Sequence, residues 1–109
     1  MKLTEINEDE LYPTEKFGPH IEGTLIYKVG EQTQFKGAYI TTNERMIMNV
    51  DMGGESYRRV FSYNDIVRAA SENDTLIIEF PEGMGKIAMV DVVEGDIDAF
   101  VEYVNEKVS

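Results

Sequence analysis

The chain reads as a mainly β domain: a bent antiparallel barrel or sandwich with one α-helix at its C-terminal end. Three observations predict this. Six short runs rich in β-branched, aromatic and Met residues follow one another: 24–29, 35–41, 44–50, 57–63, 74–80 and 86–92. Turn-forming residues separate them, namely Gly30, Asn43, Gly53-Gly54, Asn64-Asp65, Asn73-Asp74, and Gly83 with Gly85. Short strands at near-regular spacing with such punctuation form antiparallel meanders, barrels or sandwiches. After Gly95 the apolar period changes from two residues to that of a helix.

The elements follow in order. Residues 1–20 are polar, with Leu3, Ile6 and Leu11 as sparse apolar anchors, and Pro13 and Pro19 break the segment. They are expected to form a short helix or an arm. Strands are expected over 21–92 and a helix over 96–108, all within a single domain spanning 1–109. In the last segment Ile97, Phe100, Val101, Val104 and Val108 fall on one helical face. Asp96 is a suitable N-cap, Asp98 sits in the favourable first turn and Lys107 in the favourable last one. There is no internal repeat and no low-complexity tract.

Charge and composition exclude several function classes. The 109 residues carry a net charge of −11, and none is Cys. No disulfide framework or thiolate metal site is available. An acidic body is repelled by nucleic-acid phosphates and by anionic lipid. No basic leader with an apolar run precedes the domain, and no apolar stretch approaches the ~20 residues that cross a bilayer. These features predict a soluble cytoplasmic protein that binds no nucleic acid and is not embedded in a membrane. Charge is uneven, however. Residues 45–68 hold Arg45, Arg58, Arg59 and Arg68 against Asp51, Glu55 and Asp65. They form either a small basic patch or the ordinary mixed surface of strands.

The stretch Gly37 to Val50, "GAYITTNERMIMNV", places a polar Thr42-Asn43-Glu44-Arg45 between two apolar runs. Asn tolerates positive φ, so Asn43 suits a tight hairpin turn. Arg45 should project near the hairpin tip. There it is either a site residue or a partner for a carboxylate or aromatic ring. Met46, Met48 and Val50 alternate with Ile47, so both faces of this strand should be covered.

With "VFSYNDI" after it, this stretch resembles the bacterial PH-like domains, in particular the YokE-like group. The matching features are Gly37, Tyr39-Ile40, Thr42-Asn43-Glu44-Arg45, Met46 to Met48, then Tyr63 and Ile66. The leader "LYPTEKF" (11–17) resembles the segment ahead of the first strand in such domains. The resemblance runs from about Leu11 to Val108 and rests on the order of the motifs. It implies a PH-like fold, a bent antiparallel barrel closed at one end by the C-terminal helix. It also implies no enzymatic activity, no cofactor, and a role as a platform for lipid headgroups, proteins or self-assembly.

Individual sites narrow that range. Phosphoinositide-binding PH domains place a basic cluster on the first hairpin. Here that hairpin, "YKVGEQTQFKG", offers Lys28 and Lys36 with Glu31 and lacks dense Lys/Arg pairing. Lipid-headgroup binding is therefore disfavoured. "EGMGKIA" (82–88) has Ile87 after its Lys and no Ser or Thr, which makes it a hairpin loop and not a phosphate loop. His20 is the only histidine, and the acidic clusters 7–10 and 94–98 lack calcium-loop spacing. Ser56, Ser62 and Ser71 lie in no nucleophile-elbow context. Met46, Met48, Met52, Met84 and Met89 are either core fillers or an adaptable contact surface, with Met52 and Met84 the most exposed.

The function expected is a non-catalytic interaction module that binds a protein partner or itself. Contact surfaces would be a strand edge or the groove between barrel and helix. Arg58 and Arg59 are the first candidate anchors, followed by Arg45 and Lys28. Two alternatives remain: an acidic inhibitor that imitates nucleic acid, and a peripheral lipid-headgroup binder.

Overall fold

A computed structural model describes residues 3–29, 32–81 and 85–108; the side chains of Glu8, Lys28, Val29 and Gln32 lie outside the description. Seven strands run in chain order: β1 (Phe17–Val29), β2 (Gln32–Thr42), β3 (Arg45–Asp51), β4 (Ser56–Ser62), β5 (Arg68–Glu72), β6 (Thr75–Glu79) and β7 (Lys86–Glu94). Helix α1 (Ile97–Val108) follows, and short 3-10 turns occupy Glu8–Glu10 and Tyr63–Asp65. All pairings are antiparallel, in the order β4-β3-β2-β1-β7-β6-β5. The two end strands, β4 and β5, do not pair, so the sheet bends into a sandwich without closing into a hydrogen-bonded barrel. This is the helix-capped PH-like architecture.

Strand β1 holds the two halves together. It pairs with β2 over nearly its whole length and with β7 over Glu22 to Ile26. Register shifts between Phe17 and His20, and between Glu22 and Thr24, mark irregularities that let one strand serve both halves. Gly23 and Gly37 face each other across the β1–β2 ladder. A Cβ on Gly23 would lie 2.8 Å from the Val90 carbonyl oxygen, and one on Gly37 would enter the Leu25 side chain. Only glycine admits this close approach.

The main core lies between the two halves of the sheet and under α1. It contains Ile21, Tyr39, Met46, Phe61, Leu76, Met89, Phe100 and Val104, all fully or almost fully buried. The Phe100 ring meets Tyr39 with centroids 5.9 Å apart. Asp96 caps the helix as expected, its Oδ1 accepting from the Ala99 N–H at 3.0 Å. A second, smaller core sits on the outer face of β2 and β3, where Ile6 packs with Ala38, Ile40 and Ile47, and Leu3 adds to it. The covering element predicted for the outer face of β3 is therefore the N-terminal arm.

Three expectations change in detail. β1 begins at Phe17, ahead of residue 21, because Gly18 and Pro19 are accommodated beside a register shift. Leu3, Ile6 and Leu11 share no helix; only Glu8–Glu10 form a helical turn, and the rest of the arm is irregular, with turns at 3–4 and 13–14. β5 falls outside the six predicted runs because "RAASE" is polar and lacks β-branched residues. The Asn73-Asp74 turn joins it to β6 with φ of 51° and 62°, as a two-residue hairpin with both residues at positive φ requires.

Candidate functional site

The polar centre Thr42 to Arg45 is a structural lock. The Arg45 guanidinium donates from Nε to Glu15 Oε2 at 2.8 Å and from a terminal nitrogen to Glu15 Oε1 at 3.1 Å. The same nitrogen reaches the Glu10 carbonyl oxygen at 2.9 Å, and the guanidinium carbon lies 4.4 Å from the Tyr12 ring centroid. The Glu15 side chain is fully buried. It also accepts from the Tyr12 N–H at 3.0 Å and the Thr42 hydroxyl at 2.5 Å. Burial alone would raise its pKa. The bonds from Arg45, Thr42 and the Tyr12 backbone, with the Arg45 charge, outweigh that and hold the carboxyl below its ordinary range.

Asn43 has no positive φ; it ties the leader to the hairpin instead. Its side-chain oxygen accepts from the Lys16 N–H at 2.6 Å, and its amide donates to the Thr14 carbonyl at 3.2 Å. Thr42 Oγ1 makes the tight turn by accepting from the N–H groups of Glu44 and Arg45. The Tyr63 hydroxyl donates into the same corner, 2.5 Å from the Thr42 carbonyl oxygen and 3.1 Å from that of Arg45. Arg45 is thus committed within the fold and is not a free anchor.

The arginines do not converge. Asn49 and Arg58 are cross-strand neighbours on the outer face, while Met48 and Arg59 face inward. Arg58 donates to Asn49 Oδ1 at 2.9 Å and pairs with Glu10 at 2.9 Å. Asn49 in turn donates to the Leu3 carbonyl at 2.7 Å, so Arg58 clamps the arm. Arg68 pairs with Glu79 on β5 and β6. Arg59 has no carboxylate partner among the described residues; its guanidinium carbon lies 5.2 Å from the Phe61 ring centroid. The Lys28 side chain lies outside the described residues, as does Met84.

The two sheet edges differ. On β5, the Asn105 side chain of α1 accepts from the Ala69 N–H and donates to the Ala69 carbonyl, both at 2.8 Å. This amide mimics a neighbouring strand at Ala69 and blocks that edge there. Nothing comparable covers β4 among the described residues, and Tyr57, Arg58, Arg59 and Val60 are all exposed. Met52 N–H donates to the Glu55 carbonyl at 2.8 Å at the β3–β4 turn. By antiparallel alternation Tyr57, Arg59 and Phe61 then bond to β3, while the backbone groups of Arg58 and Val60 point outward.

An apolar groove of about 260 Å³ opens beside this edge, lined by Leu25, Phe35, Met48, Met52, Tyr57 and Arg59. Met52 therefore contributes to a surface, whereas Met46 and Met89 fill core. The space between the sheet and the start of α1 has a different chemistry: it is lined by Glu72, Asp74, Asp91, Asp96 and Asp98 among others. No group of three possible metal ligands occurs among the described residues. His20 pairs with Glu94 at 3.1 Å on the surface. Ser62 accepts from the Asn64 N–H, and the Ser71 hydroxyl reaches Asp98 at 3.4 Å. The Tyr39 hydroxyl is buried and has no hydrogen-bond partner among the described residues. No helix of the described residues is long and apolar enough to cross a membrane.

The difference between the edges left no mark in local sequence pattern, because Asn105 and Ala69 are far apart in the chain. The groove had one signal: Tyr57, Arg59 and Phe61 alternate along a strand flanked by Met residues.

No family model and no curated protein matches the chain. A solved structure, the C-terminal domain of an unknown protein from Leishmania infantum, aligns with a TM-score of 0.58 at 10% identity. The alignment covers 87% of this chain and 86% of that one, and it shows similarity of fold alone.

Proposed function

We propose that the protein is a non-catalytic binding module of the PH-like kind that receives an extended segment of a protein partner along β4. The observation that carries this is the asymmetry of the edges: Asn105 occupies the β5 edge at Ala69, and β4 presents outward backbone at Arg58 and Val60 with no partner strand among the described residues. An added strand gains main-chain hydrogen bonds there, and the neighbouring groove supplies a site for an apolar side chain. Self-pairing of β4 in the antiparallel register centred on Arg59 is disfavoured, because it brings that arginine against its own copy. The reading thus takes a different protein as the partner. It includes a cytoplasmic location, which the absence of Cys supports. It also keeps kinship with the YokE-like group, supported by the convergence of Glu15, Thr42, Asn43, Arg45 and Tyr63 on one network.

The test is Val60→Pro. This position is exposed, and its N–H faces away from β3, so proline removes only an outward donor and obstructs an incoming strand. Affinity capture with wild type and variant, at low and high salt, gives the partner. Amide exchange of the purified complex then locates it. Protection of the Arg58 and Val60 amides on binding, and loss of the partner with Val60→Pro, are the expected results. Equal capture by the folded variant, with the Arg58 and Val60 amides of the wild-type complex still exchanging freely, refutes the reading. A partner released by salt but indifferent to Val60→Pro would favour nucleic-acid imitation.

A further inference from the structure

We infer that the segment received by β4 carries an acidic side chain and, two residues further along, a large apolar one. The inference rests on the edge-binding reading above and adds the chemistry of the occupant. The outward backbone groups at Arg58 and Val60 fix the register of an antiparallel strand. One of its residues then stands opposite Arg59 in the closer, non-hydrogen-bonded position, with Cα atoms ~4.5 Å apart. Arg59 has no carboxylate partner among the described residues, and its planar fork of donors matches a carboxylate in two-point contact. The residue opposite Tyr57 lies on the same inner side, at the groove mouth, where Tyr57 is 52% exposed.

Antiparallel direction sets the order: the residue opposite Arg59 comes first in the partner, and the one opposite Tyr57 follows two positions later. The groove, about 260 Å³, is smaller than the ~300 Å³ at which pockets for drug-sized molecules begin, so it accepts one or two side chains and not a whole cofactor. The surrounding domain holds a net charge of −11. A run of acidic residues is repelled by it, and a single carboxylate placed on Arg59 is what the surface selects.

Selection from a random ten-residue peptide library against folded wild type, Arg59→Glu and Val60→Pro tests this. Wild type should enrich an acidic residue two positions before a large apolar one. Arg59→Glu should exchange the acidic preference for Lys or Arg at the same spacing. In fluorescence anisotropy it should weaken the wild-type peptides by at least about fivefold. Enrichment of apolar peptides without a charge preference, still lost in Val60→Pro, overturns the acidic-residue inference and leaves edge binding standing. Enriched peptides that bind Val60→Pro as well as wild type overturn edge binding itself. If wild type enriches nothing, both fall.

Discussion

Replacing Glu15 with Ala is the sharpest test of how this fold is held. The Glu15 side chain has no exposed area, and that of Arg45 has 15%. The substitution leaves a guanidinium in the protein interior with only the Glu10 carbonyl and the Tyr12 ring. It also removes acceptors from the Thr42 hydroxyl and the Tyr12 N–H. Losing one partner of a buried pair costs about 3–5 kcal/mol, a large share of the ~5–15 kcal/mol available to a small domain. Urea unfolding at pH 7 should show that loss. Thermal unfolding should show a fall in Tm on the order of 15 °C.

Acid supplies a second arm. The folded pKa of Glu15 lies below its unfolded value of about 4.3. Its contribution is therefore complete above that pH and disappears as pH falls through the folded pKa. The gap between wild type and Glu15→Ala should narrow below about pH 4. Adding Arg45→Met, which replaces the orphaned cation with an apolar chain, should recover much of the loss at pH 7. A Glu15→Ala protein within about 0.5 kcal/mol of wild type at pH 7, the range of ordinary surface substitutions, would refute the lock.

Two further results are expected. Asn105→Ala removes two hydrogen bonds to Ala69 and should cost about 1–3 kcal/mol in urea unfolding; by baring the β5 edge it should also raise self-association in sedimentation velocity. Arg58→Ala should loosen the N-terminal arm, seen as faster proteolysis ahead of Glu10, whereas Arg59→Ala should leave both that cleavage and Tm unchanged.

Much of the fold was legible because it is written in local periods. The helix from Ile97 to Val108 was marked by its apolar face and its Asp96 cap. Six of the seven strands were marked by β-branched and aromatic runs. β5 was not, because its placement depends on the hairpin after it and on α1 against it, not on its own Ala and Ser residues. The candidate arginines show the same divide. Alternation along β4 separates Arg58 from Arg59 in any register, but which of them is bound depends on Asn49 and Glu10, distant in sequence. Arg45 stood at the predicted hairpin tip, yet its partner Glu15 lies 30 positions away. Pairings of that range leave no trace in a short window of residues.

The doubled role of β1 bears on how the chain is made. Glu22 pairs with Glu94, and Ile26 with Ala88, so the first strand stays half-partnered until β7 exists. At ribosomal speeds of roughly 5–20 residues per second, that interval lasts roughly 4–14 s. For most of it Ile21 and Leu25, fully or nearly buried in the finished molecule, have β2 beside them but neither β7 nor α1 above them. The nascent domain therefore waits as an open, sticky hairpin. Its assembly waits on β7, and a chaperone has its longest opportunity to act in that window.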